Sequence, residues 1–191
     1  TWAGCVRGPA VAAAACAGVG RAVVVTGASG GIGLATAAEL ARHGAHVVFA
    51  CRDERKTRAV IAALVERAAR DAAARGGAAA ESAADDWKRR LHFAALDVSS
   101  LRSVDAFAGE WERRLGPRLP PLRALVCNAG VMLPRRRESA DGIELTLASN
   151  HLGHFELARR LLPALDDGAR AARAREGPAA ESRVVVVASS L

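Results

Sequence analysis

Three glycines and a threonine near the start of the chain are the first residues whose types and spacing could do chemistry. They read Thr26-Gly27-x-x-x-Gly31-x-Gly33, directly after the apolar run Ala22-Val23-Val24-Val25. A helical pattern of Ile32, Ala35, Thr36, Glu39 and Leu40 follows. A strand, a glycine-rich turn and a helix in this order make an anion site. Backbone N–H groups can approach a pyrophosphate, and the helix N-terminus adds a partial positive charge. A side chain at Gly31 or Gly33 would crowd that approach, and Ser29 lies within the same turn. A glycine-rich loop alone is weak evidence, because ordinary turns use glycine for its φ freedom. The spacing also differs from the general G-x-G-x-x-G fingerprint.

Other residues with chemical potential follow further apolar runs. Arg52-Asp53 comes after His46–Cys51, and Asp97-Val98 after residues 91–96. Asn128-Ala129-Gly130 comes after Leu122–Cys127, and Ser189-Ser190 after residues 183–188. Asn150, His151 and His154 share a helical stretch. Each has an ordinary reading too. Arg52 could be a surface arginine, Asp97 a turn cap and Asn128 a turn asparagine. The two histidines, three apart, have a conceivable metal spacing, yet no carboxylate or cysteine cluster supports a metal.

The elements that must position these residues alternate. The run Ala22–Thr26 is mostly β-branched and continuous, as in a strand buried on both faces. Gly44 suits the end of the first helix. Asp53 suits the start of a long helix passing Ile61, Leu64 and Val65, with Glu66/Arg70 and Asp71/Arg75 as supporting pairs. Gly76-Gly77 breaks that helix, and residues 78–86 read as a mobile surface insert. Ser99 or Ser100 can cap a helix through Leu101, Val104, Phe107 and Trp111. Gly116-Pro117 and Pro120-Pro121 make a rigid turn. Residues 142–165 are expected to be mainly helical, weakening at Pro163, and residues 168–182 to be a loop. Strands separated by helices predict right-handed crossovers and a parallel sheet covered on both faces. Ligands bind such sheets at the carboxyl ends of the strands, where Gly27, Arg52, Asp97, Asn128 and Ser190 all fall.

Taken in order, these motifs resemble those of the short-chain dehydrogenase/reductase family. The pattern T-G-x-x-x-G-x-G is similar to its fingerprint. Cys51-Arg52-Asp53 resembles its adenosine-ribose position and Asp97-Val98 its adenine-contacting acid. Cys127-Asn128-Ala129-Gly130 resembles its N-N-A-G, with cysteine in place of the first asparagine. Asn150-His151-Leu152-Gly153-His154-Phe155 resembles the helix with its catalytic asparagine, and Val187-Ala188-Ser189-Ser190 the strand end with its catalytic serine. The wording is similar to the retinol-dehydrogenase, WW-domain-oxidoreductase and protochlorophyllide-reductase neighbourhood. The resemblance implies an α/β fold, a Rossmann-type doubly wound parallel sheet in three layers. It implies a cofactor site at Thr26, Gly27, Ser29, Gly31, Ile32, Gly33, Arg52, Asp97, Val98, Asn128, Ala129 and Gly130. Ser190 and Asn150 take the catalytic roles, and both histidines are packing residues. An acidic residue at the end of the second strand would repel a 2′-phosphate; Arg52 stands there instead, which favours NADP(H).

The implied reaction is hydride transfer between a nicotinamide and a carbonyl or alcohol carbon of a small, lipophilic molecule. In the family a tyrosine moves the proton, and a lysine four residues later lowers its pKa. This sequence has no tyrosine and no lysine after Lys88. The expectation is a cofactor-binding portion lacking the last strands and helices, with a non-catalytic dinucleotide-binding or interaction module as the alternative. Residues 1–20 read as an N-terminal extension and 21–191 as the NADP-binding domain. The resemblance is also compatible with a homo-oligomer.

Composition bounds the rest. The 191 residues are 51% hydrophobic, enough for one domain with a buried core. The formal charge of +7 comes from arginines spread along the chain, and aromatics are only 4%, which argues against nucleic acid as a partner. Of the four cysteines, Cys5, Cys16, Cys51 and Cys127, none forms a C-x-x-C pair. Free thiols at the ends of buried strands fit a reducing intracellular compartment, cytoplasm or plastid, and leave membrane association open. Residues 11–19 are too short to identify a targeting or anchoring segment.

Overall fold

The computed structural model describes residues 20–74 and 80–188. Cys5, Cys16, Gly76, Gly77, Ser189 and Ser190 lie outside the described residues, as does nearly all of the expected N-terminal extension.

Among the described residues, five parallel strands form one sheet in the order β3-β2-β1-β4-β5. They are β1 (Ala22–Thr26), β2 (His46–Cys51), β3 (Leu91–Ala95), β4 (Leu122–Cys127) and β5 (Arg183–Val186). The first two connections build outward from β1, and the chain then crosses back to place β4 on its other side. That reversal opens a crevice at the carboxyl ends of β1 and β4.

Side chains of β1 alternate between two cores, as strand geometry requires. Val23 and Val25 join Ala37 and Ala41 of α1 (Gly31–Arg42) and Val65 of α2 (Glu54–Ala74). Ala22 and Val24 join Val104 and Phe107 of α4 (Leu101–Glu110) and Leu157, Leu161 and Leu165 of α5 (Gly153–Glu176). The result is three layers, a doubly wound α/β fold. The expected caps are present: Asp53 Oδ1 accepts from Lys56 N at 2.8 Å, and Ser100 Oγ from Ser103 N at 3.4 Å. Gly44 has φ +90° just past α1.

Two expectations are corrected. Residues 80–86 are not a mobile insert but part of a helix, α3 (Ala80–Arg90). Ala84 and Trp87, three apart, pack on the α1–α2 core, an apolar stripe too thin to register in an alanine-rich segment. Glu81 at its start and Lys88, Arg89 and Arg90 at its end complement the helix dipole. Arg90 also donates to the Ala41 carbonyl at the end of α1 and to Asp86.

Residues 168–176 are likewise helical, because α5 continues to Glu176 through both Pro163 and Gly168. Gly168 is there for proximity, not as a breaker: a Cβ on it would lie 1.8 Å from the Leu122 carbonyl oxygen. Glu176 then pairs with Arg21 at 2.8 Å and Arg123 at 3.0 Å, tying the helix end to the sheet.

Candidate functional site: a dinucleotide cleft

The carboxyl ends of β1, β2, β3 and β4 open into one cleft of about 670 Å³. Gly27, Ser29, Gly31, Ile32, Arg52, Asp97, Val98, Asn128, Ala129 and Gly130 line it. Thr26 is fully buried beneath, and Gly33 is buried in the first turn of α1. Ser190 lies outside the described residues.

The glycine-rich loop works by close approach. Gly27 has φ +66°, and a Cβ there would come 2.9 Å from the Ala129 Cα. A Cβ on Gly33 would lie 2.4 Å from Asn128 Nδ2 and 2.6 Å from the Gly27 carbonyl oxygen. Gly31, at φ +54°, would meet nothing within 4 Å, because it faces the open cleft. Gly30 precedes α1 without a side-chain cap. The first-turn N–H groups of α1 therefore have neither an intrahelical partner nor a capping side chain. This cradle fits a pyrophosphate.

Thr26 and Asn128 join the β1 and β4 loops. Thr26 Oγ1 accepts from the N–H of Asn128 and of Ala129, each at 2.9 Å. Asn128 Nδ2 donates back to the Thr26 carbonyl at 2.9 Å. Cys127 beside it is buried, and burial pushes its thiol up to about 11, so it stays protonated.

The cleft is polar where the β2 and β3 loops meet it. Arg52 is 79% exposed at the cleft rim, 3.9 Å from the Asp97 carboxylate. Asp97 Oδ1 accepts from Ser99 N at 3.0 Å and Ser99 Oγ at 2.7 Å, so the acid also holds its own turn. Sequence reasoning missed Lys56, which lines the cleft with its Nζ 3.9 Å from where a Cβ on Gly30 would lie. A signal was present: Lys56 falls in the first turn of the helix that Asp53 caps, close behind Arg52.

Asn150 sits in a π-helical turn, Ala148–Leu152, immediately before α5. Its side chain clamps Val131 from both sides. Oδ1 accepts from Val131 N at 2.8 Å, and Nδ2 donates to the Val131 carbonyl at 2.8 Å. The asparagine thus holds the strand-end loop that lines the cleft. The two nearby histidines differ. His154 is buried, and burial lowers its pKa against the opposing Asn150 carbonyl. His151 is exposed, which corrects its expected packing role: the π-turn places it on the outer side of the helix.

A family profile described as short chain dehydrogenase matches residues 21–76 and 68–189. The chain belongs to the short-chain dehydrogenase/reductase family. It is 42% identical over 171 residues to polyprenol dehydrogenase of Mus musculus, covering 90% of this chain and 42% of that protein. It is 38% identical over 172 residues to retinol dehydrogenase 14 of Mus musculus, covering 90% of this chain and 45% of that one. Among solved structures it resembles the NADP active-site complex of Pseudomonas aeruginosa RhlG, with a TM-score of 0.57 and 27% identity. That match covers 79% of this chain and 50% of the other. The chain thus spans less than half the length of these two curated relatives.

Proposed function

We propose that these 191 residues are the cofactor-binding portion of an NADP(H)-dependent oxidoreductase. The reaction is hydride transfer between the nicotinamide and a carbonyl or alcohol carbon. The observation that carries the cofactor preference is the pair of cations at the adenosine end. Arg52 and Lys56 line the cleft where an acidic residue would select the unphosphorylated ribose. A guanidinium and an ammonium together suit a 2′-phosphate. The cofactor supplies the hydride acceptor or donor. Gly27, Ser29, Gly31 and Ile32 would hold its pyrophosphate side, with Thr26 and Gly33 shaping that loop from beneath; Asp97 and Val98 would hold the adenine, and Asn128, Ala129 and Gly130 the nicotinamide ribose.

Asn150 keeps the Val131 loop in place at the cleft, and Ser190 would hold the substrate oxygen. The substrate is a lipophilic alcohol or carbonyl compound. Support for this comes from the names of the curated relatives, a polyprenol and a retinol dehydrogenase. Val131 at the cleft and the 69%-exposed Met132 beside it offer matching apolar surface. Buried free thiols at Cys51 and Cys127 suit a reducing compartment. No helix among the described residues is long and apolar enough to cross a membrane.

The test is titration of the purified chain with NADPH and NADH, followed by fluorescence or calorimetry, beside Gly31→Asp. Saturable NADPH binding, tighter than NADH and lost in Gly31→Asp, is the expected result. A folded chain that binds neither nucleotide refutes the reading.

A further inference from the structure

One buried imidazole links the helix after Asn150 to the glycine-rich loop. His154 Nε2 lies 2.9 Å from Thr26 Oγ1. Its Nδ1 lies 3.5 Å from the Asn150 carbonyl oxygen. These contacts leave a question of proton placement that a count of donors answers.

A threonine hydroxyl has one proton to give and two lone pairs to offer. Both lone pairs of Thr26 Oγ1 are used by the N–H groups of Asn128 and Ala129. Its proton has two acceptors in reach, the Val126 carbonyl at 3.3 Å and His154 Nε2 at 2.9 Å. A proton on Nε2 would make the histidine a third donor onto a filled oxygen. With the hydroxyl proton on Nε2, every bond at Oγ1 is satisfied, and Nδ1–H is left to point at the Asn150 carbonyl. Buried polar groups follow such complete pairing.

We infer that His154 is a positioning residue: as the neutral Nδ1–H tautomer it accepts the Thr26 hydroxyl proton, and so fixes the Asn128–Ala129 surface relative to the helix that follows Asn150. The bond spans 128 residues of sequence and joins β1 to α5. Thr26 orients the two backbone N–H groups, and His154 orients Thr26. The effect on cofactor rests on the nucleotide-binding reading above; the tautomer does not.

The first measurement is therefore independent of cofactor. A long-range ¹⁵N–¹H imidazole spectrum of the full 191-residue chain at neutral pH should show His154 protonated at Nδ1 and bare at Nε2. A proton on Nε2 overturns the inference. The second measurement is NADPH affinity. His154→Leu should weaken it about tenfold, the scale of one lost buried hydrogen bond. His154→Gln, whose amide oxygen can accept the same hydroxyl proton, should return to within about threefold of the parent chain. In a Thr26→Val background, Leu and Gln at 154 should bind alike, because no hydroxyl remains. Gln no better than Leu in the Thr26 chain refutes the positioning role. If the Leu variant does not fold, a Gln variant more than about tenfold weaker than the parent refutes it equally. If the parent chain binds no NADPH, the nucleotide reading falls, and the tautomer still decides the inference.

Discussion

Gly153 lies with its backbone against the Val98 carbonyl, so closely that a Cβ on Gly153 would come 1.8 Å from that oxygen. The start of α5 is thereby pressed onto the loop leaving β3. This contact sets where the Asn150 turn stands relative to the β3 side of the cleft.

Gly153→Ala should therefore be among the most damaging single-methyl changes in the chain. The obstacle is backbone, which cannot rotate away, so the cost should reach about 3 kcal/mol or more. Urea denaturation measures it. A cost below about 1 kcal/mol would mean that α5 can slide off Val98 freely.

Arg52→Ala and Lys56→Ala should each lower NADPH affinity about tenfold and leave NADH affinity nearly unchanged, as expected for loss of a charge-assisted phosphate contact. Competition titration with both nucleotides reads the ratio. Equal losses for the two nucleotides would place the cations at the shared pyrophosphate instead.

Asn150→Asp should destabilise more than Asn150→Ala at neutral pH. Alanine removes both bonds to Val131, whereas a carboxylate keeps the acceptor and turns its second oxygen toward the Val131 carbonyl. The difference should be about 1 kcal/mol and vanish when the aspartate is protonated near pH 3. Thermal melts of both variants across pH test this, and an identical Tm at pH 7 counts against the clamp.

His46 and His92 meet at the amino ends of β2 and β3, Nδ1 to Nε2 at 3.3 Å, with ring planes 8° apart. The 5.6 Å between ring centres is the nitrogen gap plus both ring radii, so the rings lie edge to edge and share a hydrogen bond, despite their parallel planes. Burial, together with the neighbouring His46, lowers His92 to about 4. Burial and Arg90 lower His46, against an opposing pull from Asp86. Both folded values lie below the unfolded one. Their contribution is complete above the unfolded value near 6.5 and is lost as pH falls toward 4. After allowing for solvent screening, Tm should drop by about 5 °C over that window. The double change His46→Gln, His92→Gln should remove about half of the drop, with buried His154 supplying part of the rest. An unchanged slope in that variant would discard the pair as its source.

Strand positions and the glycine-rich loop were legible because each rests on local chemistry: β-branched runs that bury both faces, and glycines at turns. The cleft residues were legible because strand ends in a parallel sheet fall on one edge. What was not legible depends on partners distant in sequence. Gly168 reads as a breaker until Leu122 is seen against it. Residues 80–86 read as a mobile insert until Ala84 and Trp87 find the α1–α2 core. His154 reads as packing because no local pattern announces a hydroxyl 128 residues away.

The crossing of β4 to the far side of β1 also has a kinetic consequence. Thr26 and Asn128, joined by two hydrogen bonds, are 102 residues apart, so the cleft closes only when a very long loop does. β1, β2 and β3 pair in sequence order and can form early, whereas the β1–β4 junction belongs to the slow, non-local phase of folding. During refolding, helical signal should return first, and the capacity to hold a nucleotide should lag behind it.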